Sequence, residues 1–324
     1  MEGSKTFAKD FMKRHSIPTA QYENFTDYGA ALNYLDVVSH NVVIKADGLA
    51  AGKGVIIPQD LHEARHALAG IMNEREFGDA GNSVVIEEYL EGDEISILSF
   101  SDGRTILSLP PAQDHKRIGD GDTGPNTGGM GTYAPTPLVT KQQLEEIERT
   151  VLQPTIDGMK NEGLTFRGCL FTGLMMTKNG PRVLEYNVRF GDPESQSCLP
   201  LLKSDLADLM VACCDGTLSS RSLDIAPLSA CTVVVAAGGY PGSYAKGIPM
   251  QVQAPNEADG MYVFHAGTSL GSEGQLKSSG GRVIAATATG KDLKEAVDNA
   301  YKGVQMIRFE GMQYRRDIAH RALK

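Results

Sequence analysis

No apolar run in this 324-residue chain approaches the ~20 residues that cross a bilayer as a helix. A membrane-embedded protein is therefore disfavoured. The opening residues, Met1-Glu2-Gly3-Ser4-Lys5, lack the apolar core of a secretory signal. Cysteine is sparse: Cys169, Cys198, Cys213, Cys214 and Cys231 form no C-x-x-C pair. An odd count with scattered spacing fits reduced thiols in a cytoplasmic protein. The vicinal Cys213-Cys214 reads as helix packing. Basic residues are in deficit, 31 against 40 acids, for a net charge of -9 and a pI near 5.3. That balance argues against a nucleic-acid partner. It leaves room for phosphorylated small molecules, which need only local lysines and arginines. Internal repeats and low-complexity segments are also missing.

What remains is ordinary in bulk. Hydrophobic content of 41% and mean hydropathy of -0.22 are typical of a globular protein. The length suffices for two or three lobes. The chain is organised around Val42-Val43-Ile44-Lys45-Ala46-Asp47-Gly48-Leu49-Ala50-Ala51-Gly52-Lys53-Gly54-Val55-Ile56-Ile57. An apolar run ends in a lysine, a small-residue loop carries three glycines and a second lysine, and a β-branched run closes the unit. This predicts strand, turn, strand. Glycines let backbone N–H groups approach a polyanion, and two lysines supply charge. It is not a Walker loop, because Lys53 is followed by Gly54 and then by a strand. A hairpin loop laid over phosphates fits better than a plain glycine-rich surface hairpin.

Around this unit, Ser4 is expected to cap a helix over 5–14, with Phe7 and Phe11 on one face. A second helix is expected over 27–36, and Asp60 with Glu63 starts a third that runs to about 73. Ser83 to Leu90 reads as a strand ending in acids. Residues 20–90 thus form a small α+β lobe. Ile95–Phe100 and Thr105–Leu109 read as paired strands. A long polar, glycine-rich stretch from Gln113 to Gly131 reads as structureless and so functional. Thr140 with Gln143 caps a helix to about 161, Cys169–Thr177 and Arg182–Phe190 are strands, and Ser204 opens a helix that stops at Gly216. Polar residues 217–228 mark a boundary. Beyond it, strands at Ala230–Ala237, Tyr262–Ala266 and Gly281–Thr289 and a helix over Lys291–Ile307 make a third, smaller domain.

Two constellations carry chemistry. Period two puts Glu185 and Asn187 on one strand face. A carboxylate and an amide oxygen are hard ligands that suit Mg²⁺ shared with nucleotide phosphates. Arg189 is expected to continue that face and to meet a phosphate or carboxylate bidentately. The run Phe190-Gly191-Asp192-Pro193-Glu194 adds acids and a packed polar turn. Glu87-Glu88-Tyr89-Leu90, followed by Glu94, suits a nucleoside: backbone groups for an adenine edge, then a carboxylate for ribose hydroxyls.

Four separated segments in order resemble one family. They are Ile44 to Gly54, Gln113-Asp114-His115-Lys116-Arg117, Gly124 to Gly131, and Asn187 to Glu194. All are similar to the phosphoribosylamine–glycine ligases, the ATP-grasp glycinamide ribonucleotide synthetases of purine biosynthesis, from about Ser4 to Leu323. The resemblance implies an α+β ATP-grasp fold, two α+β lobes clasping ATP, with a small C-terminal α/β domain. Its divisions would be a leading helix (1–19), a lid (20–90), a large subdomain (91–220) and the C-terminal domain (221–324). It implies that Lys45, Gly52, Lys53 and Gly54 meet ATP phosphates. It implies Glu87, Glu88, Tyr89 and Leu90 at the adenine, Glu94 at the ribose, and Glu185 and Asn187 on Mg²⁺ or Mn²⁺. Asp114, His115, Lys116, Arg189, Asp192 and Glu194 would face glycine and 5-phosphoribosylamine, with Lys53, Arg189 and Asp114 nearest the chemistry. The implied reaction joins glycine to 5-phosphoribosylamine through glycyl phosphate.

The strand Leu170–Met176 carries no further acidic ligand, as in the ligase family itself. Family members begin with another Rossmann-like domain that helps hold the ribose phosphate, and this chain starts where that domain should end. The expectation is a chain that folds and binds MgATP but makes glycinamide ribonucleotide poorly. Fusion to other purine-pathway domains in a parent chain is compatible with the family. A nucleotide-binding module without turnover, and another ATP-grasp carboxylate ligase such as a biotin carboxylase or peptide-like ligase, are the rivals. The run from Gln113 to Arg117 disfavours the last.

Overall fold

The computed structural model describes residues 1–50, 54–255 and 257–323. Ser4 caps α1 (Lys5–Arg14), its Oγ accepting the Phe7 N–H at 3.0 Å. Ala8, Phe11 and Met12 of this helix pack into the core of the large lobe, beside Ile95, Leu174 and Val183. The leading helix is therefore part of that lobe.

The lobe expected to be a lid, and called the lid below, follows as β1 (Tyr22–Phe25), α2 (Tyr28–Val37), β2 (Val42–Ala46), β3 (Val55–Ile56), α3 (Leu61–Met72) and β4 (Val84–Glu88). Its sheet is antiparallel, in the order β1-β4-β2-β3. Asp60 caps α3 by accepting the Glu63 N–H at 2.8 Å. Ala31, Leu35, Leu68 and Ile71 cover one face of the sheet through Val42, Ile44, Ala46, Val84 and Ile86. Strand alternation then turns Val43, Lys45, Val85 and Glu87 to the opposite face. This is how a lysine reaches the space between the lobes.

The large lobe is built on β5 (Asp93–Ser101), β6 (Ile106–Ser108), and two later strands. Between them the polar stretch, expected to be structureless, has regular structure. It folds as four short strands, β7 (Gln113–Asp114), β8 (Arg117–Gly119), β9 (Thr123–Asn126) and β10 (Gly131–Ala134). Two to four residues per strand are too few to show a period. Next come α4 (Lys141–Ile147), a π-helical turn at Glu148–Leu152, and α5 (Gln153–Asn161). Thr140 and Gln143 close a reciprocal capping box at 2.9 and 3.2 Å. Strands β11 (Gly168–Thr177) and β12 (Gly180–Asn187) complete an antiparallel sheet in the order β12-β11-β5-β6. The short α6 (Glu194–Cys198) leads to α7 (Leu206–Asp215), which is capped by Asp205 and stops at Gly216, φ +74°.

The remainder comprises β13 (Ser229–Ala236), β14 (Met250–Val252), β15 (Met261–His265), β16 (Thr268–Leu270), β17 (Leu276–Ser278), β18 (Arg282–Gly290), α8 (Leu293–Gln305) and β19 (Ile307–Phe309). Ala296, Ala300 and Val304 of α8 bury against Val233, Val235, Ile284 and Ala286. The division expected at 220/221 does not interrupt the sheet. Its order is β15-β18-β13-β10-β7, with Gly131 opposite Val233 and Ala134 opposite Ala230. β13 has β18 on one edge and takes β10, from the earlier polar stretch, on the other.

A buried chain of hydroxyls stitches this junction. Thr132 Oγ1 donates to Pro193 O at 2.9 Å and lies 2.7 Å from Ser197 Oγ. Ser197 is 2.8 Å from Thr232 Oγ1, which is 2.8 Å from Thr287 Oγ1. Among the described residues no helix is long and apolar enough to cross a membrane.

Candidate active site

Lys45 is 7% exposed and sits where the lid meets the large sheet. Its Nζ lies 2.9 Å from Glu87 Oε1 and donates to Leu184 O of β12 at 3.2 Å. Glu87, paired in register with Val43, is nearly fully buried. Its other oxygen lies 3.0 Å from Nζ of Lys9, a residue of α1. Lys9 also donates to Thr19 Oγ1 at 2.7 Å, and Thr19 Oγ1 donates in turn to Val183 O at 2.6 Å. Burial would push the Glu87 carboxyl up, but Lys45 and Lys9 together hold it below the usual carboxylate range. Burial brings Lys9 down to about 8 against the pull of Glu87. Lys5, one helical turn before Lys9, donates to Ala46 O and Gly48 O at 2.9 and 3.0 Å. The loop's root is closed by the Ala46 N–H on Gly54 O at 2.8 Å. A Cβ on Gly54 would fall 2.6 Å from that of Ala50, so the turn requires glycine. Gly52 and Lys53 lie outside the described residues.

The nucleoside segment divides. The Glu87 side chain is enclosed by two lysines, which makes it an ion-pair partner and leaves only its backbone to face a nucleoside. Glu88 and Tyr89 spend their N–H groups on Gln21 O and Asn41 O, both at 2.8 Å, while the Tyr89 ring is exposed and Leu90 half-buried. Glu94 is not free for ribose as the chain stands, because Lys116 ion-pairs with its carboxylate.

Glu185 and Asn187 do share a face of β12, opposite Gly173 and Phe171, while Tyr186 between them is buried. Gly173 brings no side chain against Glu185. Both Lys5 and Lys116 feel the Glu185 charge. Among the described residues no group of three His, Cys, Asp or Glu forms a metal cage. Two oxygen ligands fit a hard divalent ion that keeps water and phosphate oxygens for its other positions. Arg189 does not continue the face, because β12 ends at Asn187. Its guanidinium is 56% exposed, 3.4 Å from Glu2, and donates to Phe190 O at 2.9 Å.

The polar stretch brings two carboxyls to one place. Asp114, on β7 opposite Thr132, has a buried Oδ1 with no hydrogen-bond partner among the described residues. Glu194 is 4% exposed and accepts from Ser96 Oγ at 3.3 Å. Burial and the charge of Glu194 hold Asp114 well above the usual carboxylate range, and burial raises Glu194 as well. Burial opposes the charge on Lys116, but Glu94 and Glu185 outweigh it and keep the ammonium protonated. Gly129, φ +115°, passes so close that a Cβ would meet Pro193 Cδ at 2.5 Å and Asp114 Oδ1 at 2.8 Å. His115 is corrected: it is 3% exposed, with Nδ1 3.1 Å from Gly131 O and Nε2 accepting the Ala319 N–H at 3.1 Å. Both nitrogens serve the fold. Asp192 is held by Arg282 at 3.1 Å and by Gln196 at 2.9 Å.

Several residues here escaped sequence reasoning. Lys9 had one signal, its i,i+4 spacing from Lys5 on the face carrying Ala8 and Met12. Arg282, which also donates to Gly128 O at 2.7 Å, and Arg315 had none. Arg315 is fully buried and bridges Asp122 and Asp317, each at 2.8 Å, pinning the β8–β9 hairpin to the end of the chain.

Known proteins resemble this chain over nearly its whole length. Residues 3–195 match Phosphoribosylglycinamide synthetase, ATP-grasp (A) domain, and residues 230–321 match Phosphoribosylglycinamide synthetase, C domain. The whole chain is 58% identical to part of the Bifunctional purine biosynthetic protein PUR2,5 of Pichia angusta, and spans only 41% of that protein's length. It is 50% identical to part of the Trifunctional purine biosynthetic protein adenosine-3 of Homo sapiens, spanning 32% of it. It is also 48% identical to Phosphoribosylamine--glycine ligase of Salmonella typhimurium, spanning 76% of it. The crystal structure of Phosphoribosylamine--glycine ligase from Thermotoga maritima superposes with a TM-score of 0.91 at 36% identity, over 98% of this chain and 79% of that one. A biotin carboxylase domain from Hydrogenobacter thermophilus, at 16% identity and TM-score 0.77, shares the fold. With the ATP-grasp domain matched over more than half its length, the chain belongs to the phosphoribosylglycinamide synthetase family.

Proposed function

We propose that this chain contributes the catalytic site for joining glycine to 5-phosphoribosylamine, at the expense of ATP, to give glycinamide ribonucleotide, ADP and phosphate. The observation that carries the reading is the meeting of Lys45, from the lid, with the end of β12 that bears Glu185 and Asn187. A glycine carboxylate oxygen attacks the γ-phosphorus, and the bond to the bridging oxygen breaks to release ADP. The amine nitrogen then attacks the acyl carbon of glycyl phosphate, loses a proton, and phosphate departs with the C–O electron pair. Enclosed positioning and charge neutralisation supply the rate.

Lys45 and Lys53 would neutralise the phosphates, with the backbone of Gly52 and Gly54 lying against them. Glu88, Tyr89 and Leu90 would frame the adenine. Glu94 would take the ribose when Lys116 releases it. Asp114, Glu194, Lys116, Arg189 and Asp192 would hold the two other substrates. Asp114, raised toward its protonated form, can donate a hydrogen bond to a glycine carboxylate oxygen or accept an ammonium hydrogen bond once ionised. A Mg²⁺ or Mn²⁺ ion on Glu185 and Asn187 would withdraw charge from the transferring phosphoryl group. The bifunctional and trifunctional names of the longer relatives support fusion to other purine-pathway domains, and a cytoplasmic setting suits that chemistry.

The test is Lys45→Met. MgATP affinity and ADP release in the presence of both other substrates should fall, the latter by about 100-fold, the usual effect of removing one charge-stabilising donor. Binding and release both equal to the native chain would remove Lys45 from the site. Nucleotide binding without substrate-dependent ADP release in the native chain would reduce the reading to a binding module.

A further inference from the structure

Lys9 is not needed to bind anything in the reading above, yet it is buried beside the lid lysine. The Glu87 carboxylate is 2% exposed and has a different lysine on each oxygen, Lys9 at 3.0 Å and Lys45 at 2.9 Å. The two lysines are not equivalent. Lys9 is anchored: its helix packs into the large-lobe core, and its ammonium also holds Thr19 at 2.7 Å. Among the described residues Lys45 has, besides Glu87, one bond of 3.2 Å to Leu184 O. Lys45 is the member that can move.

We infer that Lys9 is a positioning residue whose charge keeps Glu87 neutralised when Lys45 turns from Glu87 to a nucleotide phosphate. The inference rests on Lys45 meeting that phosphate. With Lys45 as sole partner, each such turn would strand a buried carboxylate, and removing one member of a buried pair is strongly unfavourable. Two ammonium groups against one carboxylate leave one net positive charge to offer an anion. Glu87 thereby serves as a resting place for Lys45, and Lys9 sets how easily it leaves. Without Lys9, Glu87 would hold Lys45 more tightly and the phosphate would lose the competition.

The test measures MgATP affinity and thermal melting on the native chain and on Lys9→Met, Glu87→Gln, Lys45→Met and the Lys9→Met/Glu87→Gln pair. Lys9→Met should weaken MgATP by about tenfold, a coupling typical of contacting charges. The pair should return to within about threefold of Glu87→Gln, because a neutral amide no longer detains Lys45. A purely structural Lys9 would regain melting temperature in the pair, because the stranded carboxylate is gone, but would show no change of MgATP affinity in Lys9→Met to be rescued. Should Lys9→Met not fold, the pair still decides the matter, since it carries neither buried charge: affinity near that of Glu87→Gln supports the inference, and affinity as weak as Lys45→Met overturns it. Native affinity in Lys9→Met beside a weakened Lys45→Met would also overturn it. Native affinity in Lys45→Met would instead take down the phosphate role of Lys45, and this inference with it.

Discussion

His115 shows how a side chain in a substrate motif can belong to the fold. It accepts a backbone N–H from Ala319 on Nε2, leaving Nδ1–H to donate to Gly131 O. That arrangement requires a neutral ring. Burial, with the charge of Arg315 adding to it, lowers its pKa to about 4. In the unfolded chain the ring takes a proton near pH 6.5, so between the two values the unfolded state binds more protons. Stability is therefore whole above about pH 6.5 and declines as pH falls toward 4, by about 3 kcal/mol if this group acts alone. His115→Asn keeps a donor without a titrating ring. Its denaturant midpoint should fall less steeply over that range than the native one, read as the difference between the two chains. Parallel acid limbs would show that His115 does not titrate there.

Between elements, one close approach is at Gly129, where the polar stretch passes Pro193 and Asp114. No side chain fits there, and the positive φ disfavours any L residue. Gly129→Ala should cost about 2 kcal/mol or more in thermal or denaturant unfolding. A loss under about 0.5 kcal/mol, the size of a neutral surface change, would mean that the stretch can retreat. What was legible in the sequence follows from how far each signal reaches. Ser4, Asp60 and Thr140 announced their helices because a cap bonds within three residues. The Glu185–Asn187 face was legible because alternation is local. Arg189 was placed on that face wrongly, since nothing in the residues marks the end of β12 at Asn187. The pairing of β10 with β13, and the bridge from Arg315 to Asp122 across 193 positions, depend on partners that no local pattern encodes. The ion-pair role of Glu87 was missed for the same reason: its acid was visible, but Lys9 lay in another element.

For the whole molecule, one sheet runs through what composition divides into two domains. The large lobe and the C-terminal region should then unfold together. In native-state hydrogen exchange, the amides of β11 and β18 should lose protection at the same denaturant concentration. Protection of β18 persisting well past that of β11 would mark the C-terminal region as an independent unit. The lid, with a core of its own, is free to open earlier. The hydroxyl chain across the junction has a further property. Each hydroxyl owns a single hydrogen. Thr132 gives its hydrogen to Pro193 O and Ser197 gives its own to Thr132 O at 3.2 Å, so Ser197 receives from Thr232, which receives from Thr287. The row therefore has a direction, like a queue in which everyone faces the same way. Its head meets the turn that carries Asp192 and Glu194, and its tail lies in β18, in the strand that begins with Arg282. The far sheet and the polar turn are thus in register not only by shape but by the sense in which four protons point.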